Sequence, residues 1–397
     1  MGAAIFVALL WLATAACGSD PASPDPPATT VLVDRPQALI EALQQAGPGT
    51  RIELAPGEYG NGHFFTGLQG APGAPLIIAA ADPQRPPTFS GGSEGLHLID
   101  PVHVELQDLV ISGASGNGLN IDDGGTFDTP AHHVVLRRLQ VRDIGPAGNR
   151  DGIKLSGVDN FVVENCLIER WGQGGSGIDM VGCHDGLIRG NTLRHDQGQG
   201  GSGIQAKGGS RAVVIRGNRF EHSGQRAVNI GGSTGLAFFR PNPHPGYEAK
   251  DITVEGNTFV GGAAPVAFVG VDGALVRFNT IYRPSRWVMR ILQETKGPDF
   301  ALSRNGVFSD NIVAFSRDKI GAIVNIGPDT APETFHFARN VWYALDDPDR
   351  SAPSLPTPEE NGHPGIDPDF IDAANGDFTL APDSPAAHAG AQALPSK

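Results

Sequence analysis

The sequence predicts an all-β chain, a right-handed parallel β-helix with an N-terminal capping helix and a C-terminal cover. Three observations lead there. Short apolar segments recur at a nearly constant step, an asparagine recurs in phase with them, and glycine is abundant, 54 of 397 residues, which implies many turns and short strands. The clearest copies are "DGIKLSG" from Asp151, "SGIDMVG" from Ser176, "SGIQAKG" from Ser202 and "RAVNIGG" from Arg226. Their first apolar residues, Ile153, Ile178, Ile204 and Val228, stand 25, 26 and 24 residues apart. A period of this size marks one supersecondary unit per repeat, stacked on its neighbours. The runs are β-branched and bounded by turn residues, so they read as strands.

The second ladder contains Asn165, Asn191, Asn218, Asn257, Asn279, Asn311 and Asn340, with Leu109 and Leu139 in the same column of earlier coils. A buried amide at a turn can bond the coils above and below, satisfying backbone groups that lack a strand partner. At the N-terminal end, Pro36 to Gln45 reads as an amphipathic helix with Leu39, Ile40 and Leu43 on one face. It would cover the first open coil edge. From Asp346 the chain becomes rich in Pro and Asp, and "DPDFIDAANGDFTLAPDSPAAHAG" predicts a short pair of strands. The expected organisation is a signal segment over 1–17, a linker over 18–30, the β-helix over 31–345 and a C-terminal extension over 346–397. The apolar run Ala3 to Ala16 is too short to span a bilayer. With small residues before Cys17 and a Ser/Asp/Pro spacer after it, the segment reads as an export signal with Cys17 as a lipidation site, plain secretion being the alternative. Cys166 and Cys183 fall at non-equivalent repeat positions and read as buried free thiols.

Strand alternation turns Ile153, Leu155 and their counterparts inward. Lys154, Asp179, Gln205 and Asn229 then form one outward column, continued by Arg290 and Asn325. Ser156, Val181, Lys207 and Gly231 form the next. Such a face is either solvated scaffold with a Lys154–Asp179 ion pair or a binding surface, and three features favour binding. The step from Val228 to Val266 is about 13 residues longer than its neighbours, and the excess carries Phe238, Phe239, Arg240, Tyr247 and Glu248. A long loop in a regular solenoid walls one face, and a second excursion follows Arg290. Residues 130–300 hold 20 Lys and Arg against 15 Asp and Glu in a chain of net charge −14, which suits an anionic ligand. The glycines around Lys207 suggest open surroundings.

The stretch "GTRIELAPGEYGNGHFFTGLQGAPGAPLIIAAADPQRPPTFSGG" resembles the N-terminal coils of the alginate lyase and chondroitinase-B family, polysaccharide lyase family six. That resemblance implies β-elimination on a uronic acid glycan, with a Lys as base, an Arg assisting and calcium holding the carboxylate. It assigns Lys207 as base; the family's Arg is replaced by Gly231, Arg226 or Arg240 stands nearby to substitute, and Arg226 is taken as the catalytic partner. Lys154, Asp179, Gln205, Arg211, Asn229, Arg240, Tyr247 and Arg290 are the expected substrate contacts. Lowering the amine from its usual value of about 10.4 would fall to Arg211 and Arg226. The family's calcium-ligand positions are not matched, Gly200 and Ser202 standing there, so Ca2+ is left open and no metal is assigned. Two alternatives remain: hydrolysis by Asp151 and Asp179, and a non-catalytic glycan-binding or envelope lipoprotein. The expected partner is an anionic polysaccharide bound by a monomeric exported protein, without nucleic acid, touching a membrane only through a lipid anchor.

Overall fold

The computed structural model describes residues 29–196 and 199–395. Cys17 and the signal segment lie outside the described residues. Almost every strand pairs in parallel, and the chain winds through three long sheets of 15, 10 and 12 strands. The central coils each contribute strands to all three sheets, while the terminal coils add strands to only some of them. We call them the first, second and third sheets in the order just given. Isoleucine, valine and leucine from all three converge on one continuous core that runs from Val33 to Ala344. The repeat thus has the architecture its spacing predicts: no coil buries its apolar face alone, and stacking at about 4.8 Å completes the core.

The asparagine ladder forms with one correction. From Asn218 to Asn340 each Oδ1 accepts the backbone N–H and the Nδ2 of the preceding rung at 2.8–3.0 Å. Each Nδ2 also donates to a backbone carbonyl of the preceding coil, as Asn257 does to Ile215. Asn165 is not a rung. Cys166 takes that position, its N–H donating to Asn191 Oδ1 at 2.8 Å, while Asn165 occupies the left-handed corner before it, with φ 54°. Asparagine tolerates that conformation as well as it fills a ladder, so residue type alone does not separate the two positions. Beyond Asn340 a carboxylate continues the series: Glu359 accepts from both Asn340 nitrogens and from Trp342 Nε1. Strand pairing accordingly runs past residue 345, with Glu359–Glu360 and His363–Pro364 joining the first and third sheets.

The helix Pro36–Gln45 buries Leu39 and Leu43 against the first coils. The strands Phe370–Asp372 and Asp377–Leu380 form an antiparallel pair. That extension lies over the third sheet, where Phe378 packs on Tyr282 and Ala314, and Ala386 and Ala389 pack on Ile312 and Val341. The second sheet keeps its outer side clear. Cys166 and Cys183 are free and buried, and burial pushes both thiols up to about 12. Among the described residues no helix is long and apolar enough to cross a membrane.

Candidate functional site

The second sheet carries the outward columns in the predicted register. Asn120, Lys154, Asp179, Gln205 and Asn229 align strand by strand, and Ala267, Arg290 and Asn325 continue the line. Beside it Asp122, Ser156, Val181 and Lys207 align in turn. Over these strands lies a cleft of about 740 Å³, into which both Lys154 and Lys207 reach. One wall is the loop after Asp123, with Phe127. The other is the long excursion after Gly231, with Phe238, which is 63% exposed.

The floor of the cleft is a charge cluster. Lys207 Nζ lies 3.1 Å from Asp179 Oδ1. Lys154 Nζ bonds the other oxygen of Asp179 and lies 3.7 Å from Asp151 Oδ2. Both carboxylates are buried, while the amines keep a small opening to the cleft. Burial works against the Lys154 ammonium, but Asp179 and Asp151 hold it above the usual lysine range. Asp151 is pushed up to about 6, first by burial and then by the Asp179 charge, with the two lysines and the Ser176 N–H opposing. Two carboxylates thus sit beneath two amines. The paired-acid reading fails on this point: neither Asp151 nor Asp179 presents an oxygen that a sugar could reach, because the lysines cover them.

The glycines beside Lys207 serve a different purpose from the expected one. They do not open its surroundings; they seat Arg240. A Cβ on Gly182 would strike the Arg240 side chain, and one on Gly209 would strike its carbonyl oxygen. Both positions also have left-handed φ, 59° and 93°. In this trench Arg240 grips Asp123 with Nε at 2.5 Å and Nη2 at 2.8 Å and stacks over Phe127 at 4.5 Å. A buried bidentate pair of this kind fixes geometry. Arg240 therefore clamps the two walls together and does not wait for substrate. Phe239 anchors the same loop, buried against Phe300 and His244. Glu248 holds it to the second excursion: its carboxylate accepts from Gly208 N, Thr234 N and Oγ1, and Thr295 Oγ1, with no exposure of its own.

Other expected contacts divide. Gln205 and Asn229 lie on the face, Gln205 accepting from Ser176 Oγ and both donating to Gly231 O. Arg226 does not meet Lys207. It bonds Asn229 Oδ1 at 3.2 Å and Glu294 at 2.5 Å, because it pairs with Ser202 at the start of the strand that ends in Lys207. Arg290 lies beyond it, stacked on Trp287 at 4.4 Å and bonded to Asn325; burial and the nearby Arg226 lower it from the usual arginine value. Arg211 leaves this face altogether, since Ser210–Arg211 pairs with Ala249–Lys250 in the first sheet. Tyr247 goes the same way, its ring 5.9 Å from Lys250 Nζ.

Sequence reasoning missed four contributors: Asp123, Phe127, His97 and Asp122. His97 lies one coil before Asn120 in the first column, with Nε2 2.7 Å from Asp122 and Nδ1 2.9 Å from Glu94. Burial would lower it, but the two carboxylates outweigh that and raise it to about 9, so at neutral pH the ring is an imidazolium. The repeat signal is weak in these early coils, and the register was not extended back to them. Calcium does not fit the cleft. Asp123 is taken by Arg240, Asp122 by His97, and Asp151 and Asp179 by lysines, so among the described residues no set of free carboxylates remains there for a hard cation.

Comparison with known proteins agrees with this architecture. A family model described as a right handed beta helix region matches residues 88–243. Among proteins of curated function no sequence match is found. Among solved structures, the GH136 lacto-N-biosidase from Eubacterium ramulus superposes with TM-score 0.56 at 14% identity, covering 84% of this chain and 68% of that one. Pectate lyase Pel9A gives 0.53 at 12%, covering 93% and 88%. The PL6 family alginate lyase AlyGC gives 0.51 at 14%, covering 91% of this chain and 56% of that one. Identities this low establish the fold alone, and on that ground, together with the strand register and the asparagine ladder, the chain is a right-handed parallel β-helix.

Proposed function

We propose that the protein acts on an anionic, uronic-acid-containing polysaccharide laid across the second sheet, and that it cleaves the chain by β-elimination. The observation that carries this reading is the pair of amines, Lys154 and Lys207, opening into one cleft between walls bearing Phe127 and Phe238. A sugar acid offers a carboxylate to an ammonium and an apolar ring face to an aromatic side chain. The names of the structural neighbours include two polysaccharide lyases, which is compatible with such a substrate. In this scheme Lys154, tied to Asp179 and Asp151, neutralises the uronate carboxylate. Lys207 takes the proton from the carbon next to it. The carbon–oxygen bond to the leaving sugar breaks, a carbon–carbon double bond forms, and the departing oxygen gains a proton from water. Before it can act, Lys207 must give up a proton, and Asp179 Oδ1, 3.1 Å away, is the acceptor at hand.

One observation favours a second reading. The Lys207–Asp179 ion pair suits a cation that holds an anion as well as it suits a base, so the same cleft serves binding without cleavage. The two separate on a panel of uronic polysaccharides. Elimination gives an absorbance rise from the unsaturated product, lost in Lys207→Ala. Binding that persists in Lys207→Ala with no product on any polymer would establish the non-catalytic reading. Export with a lipid anchor at Cys17 belongs to this proposal and is tested by labelling with a radioactive fatty acid.

A further inference from the structure

The first sheet carries a second cluster, remote in composition from the cleft. His132 pairs with Val102 and Val134 with Val104, so His103 and His133 take the same corner position of successive coils. Both have left-handed φ, 51° and 56°. Their rings stack with centroids 4.2 Å apart, and His132 meets each of them edge-on at 5.6 and 5.0 Å. One ring nitrogen from each residue lies within 4.8 Å of the other two, and the Nδ1 atoms of His132 and His133 are 2.9 Å apart.

Four other histidines are held by partners that the cluster lacks. His97 is held by Asp122 and Glu94, and His184 by Asp159 at 2.7 Å. His63 and His195 bond backbone carbonyls at 2.6 Å. Among the described residues, no carboxylate or carbonyl engages the three rings of the cluster. The corner itself does not call for them: it needs a residue that tolerates left-handed backbone, and Asn160, Asp185 and Asp251 meet that need in later coils. Three imidazoles brought to one point, with lone pairs left over, are a ligand set.

We propose that His103, His132 and His133 bind one divalent transition-metal ion of the zinc–copper class. Nitrogen donors select such ions over calcium or magnesium. At Zn–N distances of about 2.0–2.1 Å, tetrahedral ligand atoms stand roughly 3.3 Å apart, which the rings reach by small rotations from their present spacing. The three leave a fourth position open. It faces a groove of about 1020 Å³ over the first sheet, where Glu105 and Gln107 stand on the neighbouring strand positions. The ion is then available to an outside ligand and not sealed as a structural brace.

Titration of the untagged full chain with Zn2+, followed by heat release, tests this. One ion per chain is expected. Loss of an outer-shell partner alone weakens metal sites by about 10–100-fold, so His103→Ala and His133→Ala each weaken binding by roughly 100-fold or more. His363→Ala, at the separate His363–His388 contact, leaves it unchanged. Cu2+ added to the wild type gives an electron paramagnetic resonance signal with imidazole nitrogen coupling, absent in both variants. His132→Gln, at an ordinary strand position, serves if a corner variant fails to fold. Failure of the wild type to bind, or equal binding in all three variants, overturns the proposal. None of these readouts depends on glycan cleavage, so the two readings fail separately.

Discussion

Two outer faces of the same solenoid carry charge ladders built on the same principle, yet they differ in what they leave free. On the first sheet Arg137, Glu164, Arg189, Arg216, Glu255 and Arg277 follow one another in register. Glu164 takes both Arg137 and Arg189, and Glu255 takes Arg277 at 2.9 Å. The arginines lie over their partners with 24–45% of the side chain exposed, while Glu164 and Glu255 are buried, 3% and 1% exposed, so the cations are paired and open to water. On the second sheet the acids are aspartates, and both lie buried like the glutamates of the first. The lysines stand over them, 14% and 18% exposed, inside walls that the first sheet lacks. The same strand register gives a solvated brace in one place and an enclosed site in the other. The loops that wall the second sheet make the difference.

The contrast breaks most sharply at Lys207. Lys207→Ala should lower elimination on the cognate polymer by about 10²–10⁴-fold, the range of a lost general base, measured as initial rate of product absorbance. Arg189→Ala on the first sheet should leave that rate unchanged. Next in size, Asp179→Asn strips the shared partner from two partly buried lysines. Breaking a buried pair costs about 3–5 kcal/mol, read as a lower urea midpoint. The third test sharpens the comparison through pH. Asp151 has its pKa raised on folding, to about 6. Between the unfolded carboxylate value, about 3.9, and 6, the native state holds the proton that the unfolded state has released. Stability contributed at this site therefore falls as pH rises through that window and is level above it. Urea midpoints of wild type should decline relative to Asp151→Asn from pH 4 to 6. His97 has the same sign in a higher window: its contribution is complete below about 6.5 and is lost as pH rises through 9, a loss that His97→Gln abolishes. Smallest of all, Arg304→Ala removes an exposed partner of Asp272 and should cost less than about 1 kcal/mol.

Most of the fold was legible before any coordinates. The step between Ile153, Ile178, Ile204 and Val228 set the coil, and period-two alternation put Lys154, Asp179, Gln205 and Asn229 on one outer line, because a strand has only two faces. The ladder erred at Asn165 alone, where corner and rung both accept asparagine. The site was legible in part. Lys207, Lys154 and Asp179 were placed on one face because they lie within the regular repeat. Arg211, Tyr247 and Arg240 were misassigned because each lies at a corner or on a loop, where the repeat no longer says which way a side chain goes.

The amino-acid order by itself determined the coil, the register and which residues share a sheet face, since those follow from local periodicity and from the need of each coil to bury its apolar side. Only the tertiary structure decided what that face could do. Arg240 reaches Asp123 across 117 residues, Glu248 binds two loops at once, and three histidines from successive coils converge. Contacts of that kind depend on where loops close in space, and no spacing along the chain encodes the distance between them.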